Sequence, residues 1–218
     1  MFPDVLLFSG IQEEEIKSMF SCLGAVQKNY QKNEYVFHAG EPIESLGLVL
    51  SGSVHILIED VWGNRRILQT ADAGEVFGES YACLPHQPVL VSVEAVENAE
   101  ILFLNVSRVL TVCPSSCPFH HRLVRNLLSI LARKNVLLAN KMDHVTRHTT
   151  REKIMAYLSS EAKRQKSRSF NIPYNRQQMA DYLAVERSAL SAELSKLQKE
   201  GLIAFSKNRF TVILTGED

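Results

Sequence analysis

Between residues 30 and 104 the chain consists of short apolar runs that are separated by glycines. Two of these runs cover residues 46–50 and 54–58, with turn-forming Ser51 and Gly52 between them. Several short strands at such spacing are typical of a β-sandwich or barrel. The polar stretch over residues 60–66 predicts the tip of a hairpin. A short amphipathic helix with an acidic start is predicted before the strands, over residues 10–23.

After Pro118 the spacing of hydrophobic positions becomes helical. One line steps by three and four residues over about three heptads, through Val124, Leu127, Leu131, Lys134, Leu138, Lys141 and Val145. A second line runs beside it, through Leu123, Ile130 and Leu137. A seam interrupted by lysines favours a coiled-coil register, and a helix packed only on its own β domain is the alternative. The dimerisation residues that we predict are Val124, Leu127, Leu131, Lys134 and Leu138.

The segment 175–201 predicts two short helices with a three-residue connection. Asn175 is a suitable N-cap, and Gln178 three residues later completes a capping box. Inner faces are predicted for both helices, from Met179 and Leu183 and then from Leu190, Leu194 and Leu197. This arrangement is the helix-turn-helix pattern. Before it, the sequence predicts a helix from Arg151 to about Arg164 and a brief strand over residues 169–173.

The N-terminal end of the second helix is where a recognition helix meets base edges. An arginine there, Arg187, can donate two hydrogen bonds to guanine, worth ~1–3 kcal/mol of discrimination. Arg176 opens the first helix, where the helix dipole and a guanidinium favour a phosphate. Two strands over residues 202–213 predict a wing, and a small helical domain with an ordinary surface is the alternative. The predicted DNA contacts are Arg176, Arg187, Ser188, Ser191, Lys207 and Arg209.

The net charge of zero over 218 residues hides a split. Residues 1–117 hold 6 Lys and Arg against 15 Asp and Glu, and residues 118–218 hold 18 against 9. This asymmetry favours an acidic module joined to one that meets a polyanion, although two domains can differ in charge without a functional reason. No apolar run approaches the ~20 residues of a membrane span, and no basic signal-like segment opens the chain. We therefore predict a cytoplasmic protein without a membrane partner.

Five sequence runs resemble motifs of the Crp/Fnr family of bacterial transcription regulators: GEP at 40–42, LSGSV at 50–54, GEVFGES at 74–80, VERSALS at 185–191 and KEGLI at 199–203. The resemblance extends over about residues 5–214. It implies an α+β fold with an N-terminal double-stranded β-helix, or β-roll, as a cyclic-nucleotide-binding-like sensor domain over 1–117. A long dimerisation helix over 118–146 and a winged helix-turn-helix domain over 147–218 are implied to follow.

The resemblance also implies a function. It is that of a homodimeric, sequence-specific regulator that binds a palindromic operator in double-stranded DNA and activates by contact with RNA polymerase. A small effector or a redox signal, sensed in the β-roll, would shift the packing of the long helix and so re-angle the two recognition helices. Effector identity, operator sequence and the choice between activation and repression stay open.

The effector site departs from the cyclic AMP-binding members of the family. Those members carry an Arg-Ser pair that binds the cyclic phosphate, whereas the corresponding place here, near Val89 and Leu90, has no arginine. A buried phosphodiester without a cationic partner is poorly compensated, so we predict that cyclic AMP is not the effector. The effector pocket is predicted at Phe77, Gly78, Glu79 and Ser80. Glu79 can bind hydroxyl groups, or it can simply close a strand turn.

Other cofactors are not expected. An oxygen-sensing iron–sulfur cluster needs three clustered N-terminal cysteines, and Cys22 stands alone there. Haem would need an axial ligand, for which His38, His55 and His86 are candidates by residue type alone. Cys113 and Cys117 are either a redox pair, a metal site or two structural thiols, and we expect no metal site elsewhere. Cys83 completes a set too irregular for a disulfide scaffold.

Two further function classes compete with a DNA-binding regulator. A cupin-like enzyme would need clustered metal ligands such as a His-x-His pair, and none occurs; nor is there a P-loop, GxSxG or HExxH motif. We therefore predict that the protein is not an enzyme. A ligand-binding regulatory module without a DNA role is disfavoured by the predicted winged helix and by the missing phosphate-binding arginine.

Overall fold

The computed structural model describes residues 5–84, 86–111 and 118–213. It divides into two compact units, Met1–Arg133 and Lys134–Asp218, and the boundary lies within one long helix. The three-part division made from the sequence stays an expectation. Cys113 and Cys117, for which three roles were considered, lie outside the described residues. In the described part of the chain, no helix is long and apolar enough to cross a bilayer.

The first unit opens with a 3-10 turn, Leu6–Phe8, and helix α1, Glu13–Leu23. A capping box between Gln12 and Glu15 starts α1, and Gly24 ends it in the left-handed conformation at φ 59°. Eight strands follow: β1 Val26–Tyr30, β2 Tyr35–Phe37, β3 Ser45–Ser51, β4 Ser53–Glu59, β5 Arg65–Asp72, β6 Val76–Phe77, β7 Ser92–Ala95 and β8 Ala99–Asn105. Two short helices accompany them, α2 Glu79–Ala82 and α3 Val106–Leu110.

The strands form two four-stranded antiparallel sheets, in the orders β1-β8-β3-β6 and β2-β7-β4-β5. One apolar core contains residues from both sheets, among them Phe37, Val49, Val54, Phe77, Val93 and Ile101. Ring packing in this core is tight, because the ring of Phe77 occupies the space that a Cβ at Gly47 would need. The arrangement confirms the predicted β-roll, and the hairpin tip lies between β4 and β5 as predicted.

A second core of the first unit packs α1 and the 3-10 turn against the sheet that holds β3 and β8. It also contains the first half of helix α4, Pro118–Val145, through Leu123, Leu127 and Ile130. The Asn126 side chain donates to the carbonyl oxygens of Leu7 and Ser9, at 3.0 and 2.9 Å. These bonds attach the helix to the N-terminal turn, so one face of its first half is committed to its own chain.

The second unit contains the last turns of α4 and a helix-rich domain with a small sheet. Its further elements are α5 Thr150–Arg164, β9 Ser169–Asn171, α6 Arg176–Leu183, α7 Arg187–Lys199, β10 Ile203–Ser206 and β11 Arg209–Val212. The strands form an antiparallel sheet in the order β10-β11-β9. A single apolar core joins the helices to this sheet, with Ile154, Leu158, Met179, Leu190, Leu194 and Phe210 fully buried. The predicted winged helix-turn-helix is thereby confirmed.

Candidate nucleic-acid interface

The helix pair α6 and α7 is built by local signals in the sequence. Asn175 accepts from the backbone N–H of Gln178, and the Gln178 side chain accepts from the backbone N–H of Asn175, both at 2.9 Å. Ala184 then turns the chain in the left-handed conformation at φ 50°. Leu183, Leu190 and Leu194 are fully buried where the two helices meet. The capping and the apolar inner faces together set the angle between the helices.

Helix α5 supports the second helix of this pair from behind. Arg151 of α5 donates to Glu193 of α7 at 3.3 Å, and to both carboxylate oxygens of Glu200 at 3.2 and 2.5 Å. A bidentate arginine–carboxylate pair has a fixed geometry, so it restrains α7 against rotation about its axis. The N-terminal end of α7, with Arg187, stays exposed on the other side.

The wing is attached to the start of α6 through Arg176. Its guanidinium lies over the rings of Phe205 and Phe210, at 4.8 and 5.1 Å from their centres. Burial lowers the pKa of Arg176, which remains charged because arginine starts so far above neutrality. One guanidinium nitrogen, Nη1, is buried without a hydrogen-bond partner among the described residues. The ring contacts hold the positive charge of Arg176 in place at the start of α6.

A cleft of ≈ 440 Å³ opens where the starts of both helices meet the wing turn. Its lining consists of three cationic and three amide side chains: Asn175, Arg176, Gln177, Arg187, Lys207 and Asn208. No carboxylate is among them, and neither Arg187 nor Lys207 forms an ion pair with a described residue. Such a cleft at the N-terminal end of a helix attracts phosphate through both the cations and the helix dipole.

The cleft unites three of the six predicted DNA contacts, Arg176, Arg187 and Lys207. The other three are exposed but do not line it: Ser188, Ser191 and Arg209. The Ser191 hydroxyl donates to the carbonyl of Arg187 at 2.9 Å, so its oxygen is left as an acceptor. Arg209 approaches Ser169 of the neighbouring strand at 3.4 Å.

Three lining residues were not among the predicted DNA contacts, Asn175, Gln177 and Asn208, and of these the sequence had identified Asn175 as the cap of α6. Gln177 follows Arg176 at the start of α6, so helical position alone could have indicated it. Asn208 belongs to the turn of the wing beside Lys207, whose positive φ of 51° identifies a tight turn. Its approach to α6 depends on how the wing folds back.

Comparisons with known proteins agree with this geometry. Residues 27–116 match the model of the cyclic nucleotide-binding domain, and residues 121–215 match the Crp-like helix-turn-helix domain. Over 196 residues the chain is 24% identical to electron transport regulator A of Shewanella oneidensis, covering 86% of this chain and 74% of that protein. Over 197 residues it is 25% identical to the cyclic AMP receptor protein of Thermus thermophilus, covering 90% and 87%.

A solved structure, CprK in complex with OCPA, has a TM-score of 0.66 at 15% identity and covers 91% of both chains. It supports the fold. The two domain models follow one another along most of the chain in the order of this family. The chain belongs to the Crp/Fnr family. The protein is therefore a DNA-binding transcription regulator with an effector-sensing domain. The alternative prediction, a regulatory module without a DNA role, is wrong.

The long helix of this Crp/Fnr regulator presents two different apolar stripes. Leu127, which we predicted at a dimer interface, is 1% exposed in the core of its own chain. By contrast, Leu138 is 67% exposed, and Val124, Leu131 and Lys134 are half-buried. Burial therefore assigns Leu127 to the inner stripe, so it contributes no surface to a partner helix.

The outer stripe of α4 has a heptad pattern of its own. It steps by four and three residues through Val124, Leu128, Leu131, Asn135, Leu138, Met142 and Val145. Leu128, Leu138 and Met142 are each about two-thirds exposed, at 66%, 67% and 66%. The register differs from the predicted one at three positions, where 128, 135 and 142 replace 127, 134 and 141. Exposed apolar side chains at a and d spacing are typical of a helix that pairs with another.

The four residues predicted as an effector pocket differ in burial. Phe77 is 2% exposed in the core between the sheets, and Gly78 turns the chain at φ 72° before α2. Glu79 is 3% exposed, whereas Ser80 is exposed. Residues 67–107 include neither Lys nor Arg, so this segment offers a cyclic phosphate a buried carboxyl group and no cation of its own. The residues present do not fit a cyclic nucleotide.

Proposed function

We propose that this protein regulates transcription as a homodimer that binds a palindromic operator through the basic cleft and the N-terminal end of α7. The observation that carries the proposal is the convergence of Arg176, Arg187 and Lys207 in a cleft without carboxylates. Phosphate contacts position a protein on DNA, and base contacts specify the sequence. The cleft supplies the first kind of contact and the exposed start of α7 the second.

Each cationic residue has its own role in this proposal. Arg187, at the first position of α7, reads a guanine in each half-site, with Ser188 and Ser191 beside it on the same exposed end. Arg176 is held over the wing rings, and its charge attracts a phosphate to the cleft. Lys207 of the wing turn follows the backbone, and Arg209 lies at the edge of this contact.

The dimer is supported by the outer stripe of α4. Its exposed a and d positions complement a second copy of the same stripe, and Asn135 is the polar residue at an a position. A two-fold dimer places two recognition helices about 34 Å apart, one turn of the duplex. The operator is then a palindrome whose half-sites each contain the guanine read by Arg187.

We propose that the β-roll responds to an effector or redox signal other than a cyclic nucleotide. The absence of cations from residues 67–107 and the buried carboxyl group of Glu79 support this choice. RNA polymerase as a partner, action by binding rather than catalysis, and a cytoplasmic location follow from the family resemblance and belong to the same proposal.

The test is a selection of bound sequences from random duplexes, followed by affinity measurements on the selected operator. Arg187→Ala should weaken the selected operator by roughly 5- to 150-fold and relax the preference at one base position per half-site. Lys196→Ala is the matched control, because Lys196 is exposed on the same helix but outside the cleft. An unchanged sequence preference for the Arg187 variant would overturn the assignment of α7 as the reading element.

A further inference from the structure

Side chains in the last turns of α4 contact Tyr182, which belongs to α6, the first helix of the helix-turn-helix. His144 Nδ1 and the Tyr182 hydroxyl oxygen are hydrogen-bonded at 3.1 Å, and Lys141 Nζ lies 5.5 Å from the centre of the Tyr182 ring. Lys141 and His144 are three residues apart, so they project from one side of α4. The helix therefore contacts Tyr182 both through its ring and through its hydroxyl.

Further aromatic side chains surround this contact. Tyr157 of α5 meets the His144 ring edge-on at 5.6 Å and the Tyr182 ring at 5.3 Å. Tyr174 stacks on Tyr182 at 5.0 Å but has no ring contact or hydrogen bond with α4 among the described residues. His144 is 4% exposed and Tyr157 is 2% exposed. Packed interiors resist continuous deformation, so this cluster transmits displacement rather than absorbing it.

The Tyr182 hydroxyl and the His144 imidazole, which form this contact, are both uncharged near neutral pH. Burial raises the pKa of Tyr182 to about 12. Burial also lowers the pKa of His144, against the opposing effect of Asp143 and Glu161. A neutral imidazole and a neutral phenol are therefore paired near neutral pH, which avoids an uncompensated buried charge.

Tyr182 lies next to the turn that leads into the recognition helix, so this contact links α4 to that turn. Tyr182 precedes Leu183, the last residue of α6, and Ala184, whose left-handed turn leads into α7. The covalent connection between α4 and α5 is a segment of four residues, 146–149. Without the Tyr182 contact, the end of α4 would be joined to the DNA-binding elements through that segment and through the packing of His144 on Tyr157 of α5.

We propose that Lys141 and His144 are positioning residues that clamp Tyr182, so that α4 fixes the orientation of the recognition helix and hence the half-site spacing the dimer accepts. This inference rests on the proposed dimer on a two-half-site operator. A clamp differs from an ordinary packing contact in one measurable respect. Loss of packing weakens all DNA binding alike, whereas loss of the clamp relaxes the discrimination between operators of different spacing.

The experiment uses the full-length protein and two clamp variants. Tyr182→Phe keeps the ring and removes the hydroxyl, and Lys141→Met keeps the stem and removes the charge at a half-buried position. Tyr174→Phe is the matched control, because it removes a hydroxyl from the same cluster without a contact to α4. The probes are the operator selected by the unmodified protein, versions with the half-sites moved by one or two base pairs, and a duplex with one half-site.

Each clamp variant should reduce the affinity ratio between the selected operator and its spacing variants by roughly two- to tenfold, the effect of one hydrogen bond for Tyr182→Phe and of one cation–π contact for Lys141→Met. Binding to the single half-site should be unchanged, and the Tyr174 control should discriminate like the unmodified protein. Discrimination that stays intact in both clamp variants would overturn the clamp and leave the proposed dimer standing. An unmodified protein that binds every spacing equally would overturn the proposed dimeric recognition, and the clamp with it.

Discussion

In the β-roll, two of the four predicted effector-pocket residues are buried, Phe77 in the apolar core between the sheets and Glu79 at the start of α2. In the winged helix-turn-helix, the corresponding functional surface is an open cleft with three cationic side chains. The two halves of the chain also differ in charge, since the first is acidic and the second basic. Both halves match their family models, so the match alone does not show which of the family's two binding sites, for effector and for DNA, this chain retains.

The difference shows which chemistry is under the stronger constraint. Every operator carries phosphates, so a DNA-binding surface needs cations whatever sequence it reads. An effector site needs only the groups that suit its own ligand, and residues 67–107 of this β-roll include no lysine or arginine for a cyclic phosphate. The long helix shows the same contrast, because its first half is buried on the β-roll side while its outer stripe stays exposed.

The largest effect is expected at the exposed stripe of α4. Leu138→Glu places a charge at a d position, so the dimer should dissociate and operator affinity should fall by about 10²- to 10⁴-fold through lost bivalency. Sedimentation velocity and fluorescence anisotropy measure the two effects. Leu137→Glu is the control, because Leu137 is equally exposed, at 65%, but lies off the stripe. A Leu138 variant that remains dimeric would contradict the assigned register.

The burial of Phe77 in the β-roll core can be tested by measuring stability. Phe77→Ala should lower the free energy of unfolding by about 3–5 kcal/mol, because it removes a buried ring and leaves a cavity. Urea denaturation followed by circular dichroism measures this loss. Trp62→Ala, at an aromatic residue that is 83% exposed in the same unit, should change stability by less than about 0.5 kcal/mol. A similarly small effect at Phe77 would show that its ring lines an open pocket.

The contrast in charge predicts a difference between two exposed lysines. Lys207→Ala should weaken binding to all duplexes alike and reduce the slope of log affinity against log salt by about 1, because one phosphate contact is lost. Lys32→Ala, in the acidic unit, should leave both quantities unchanged. Anisotropy titrations over a range of salt concentrations make the comparison. Equal slopes for the Lys207 variant and the unmodified protein would remove the wing turn from the interface.

The smallest effect is expected from acid at His144. Burial lowers the folded-state pKa of His144 below its ordinary value near 6.5, so the unfolded chain takes up the proton first as pH falls. The free energy of unfolding should therefore decrease as pH drops from about 6.5 to the folded pKa, with no further contribution below it. Asp143 and Glu161 favour the charged form and Arg147 opposes it.

The measurement compares urea midpoints at several pH values for the unmodified protein and His144→Gln. The variant should lose less stability on acidification. His148→Gln is the control, because His148 is exposed nearby in the chain. Identical pH dependence in the unmodified protein and the His144 variant would show that this imidazole is not held neutral by the fold.

Local signals predicted much of the second unit correctly. The Asn175–Gln178 capping box and the wing over residues 202–213 occur where the sequence predicted them, and α5 begins at Thr150, one residue before its predicted start. Caps and turns depend on residues a few positions apart, so their energetics are contained in a short segment. The lining of the cleft was less predictable, because Gln177 and Asn208 lie far apart in sequence and line one cleft only when the wing folds back.

The sequence by itself determined the order of the elements, the cationic residues of the cleft and the lack of cations over residues 67–107. Only the tertiary structure decided which stripe of α4 is free, since Leu127 and Leu128 are both apolar and differ only in what covers them. The tertiary structure also decided that Phe77 is a core residue and that His144 forms a hydrogen bond with Tyr182. Periodicity describes a single helix, whereas burial depends on contacts between distant parts of the chain.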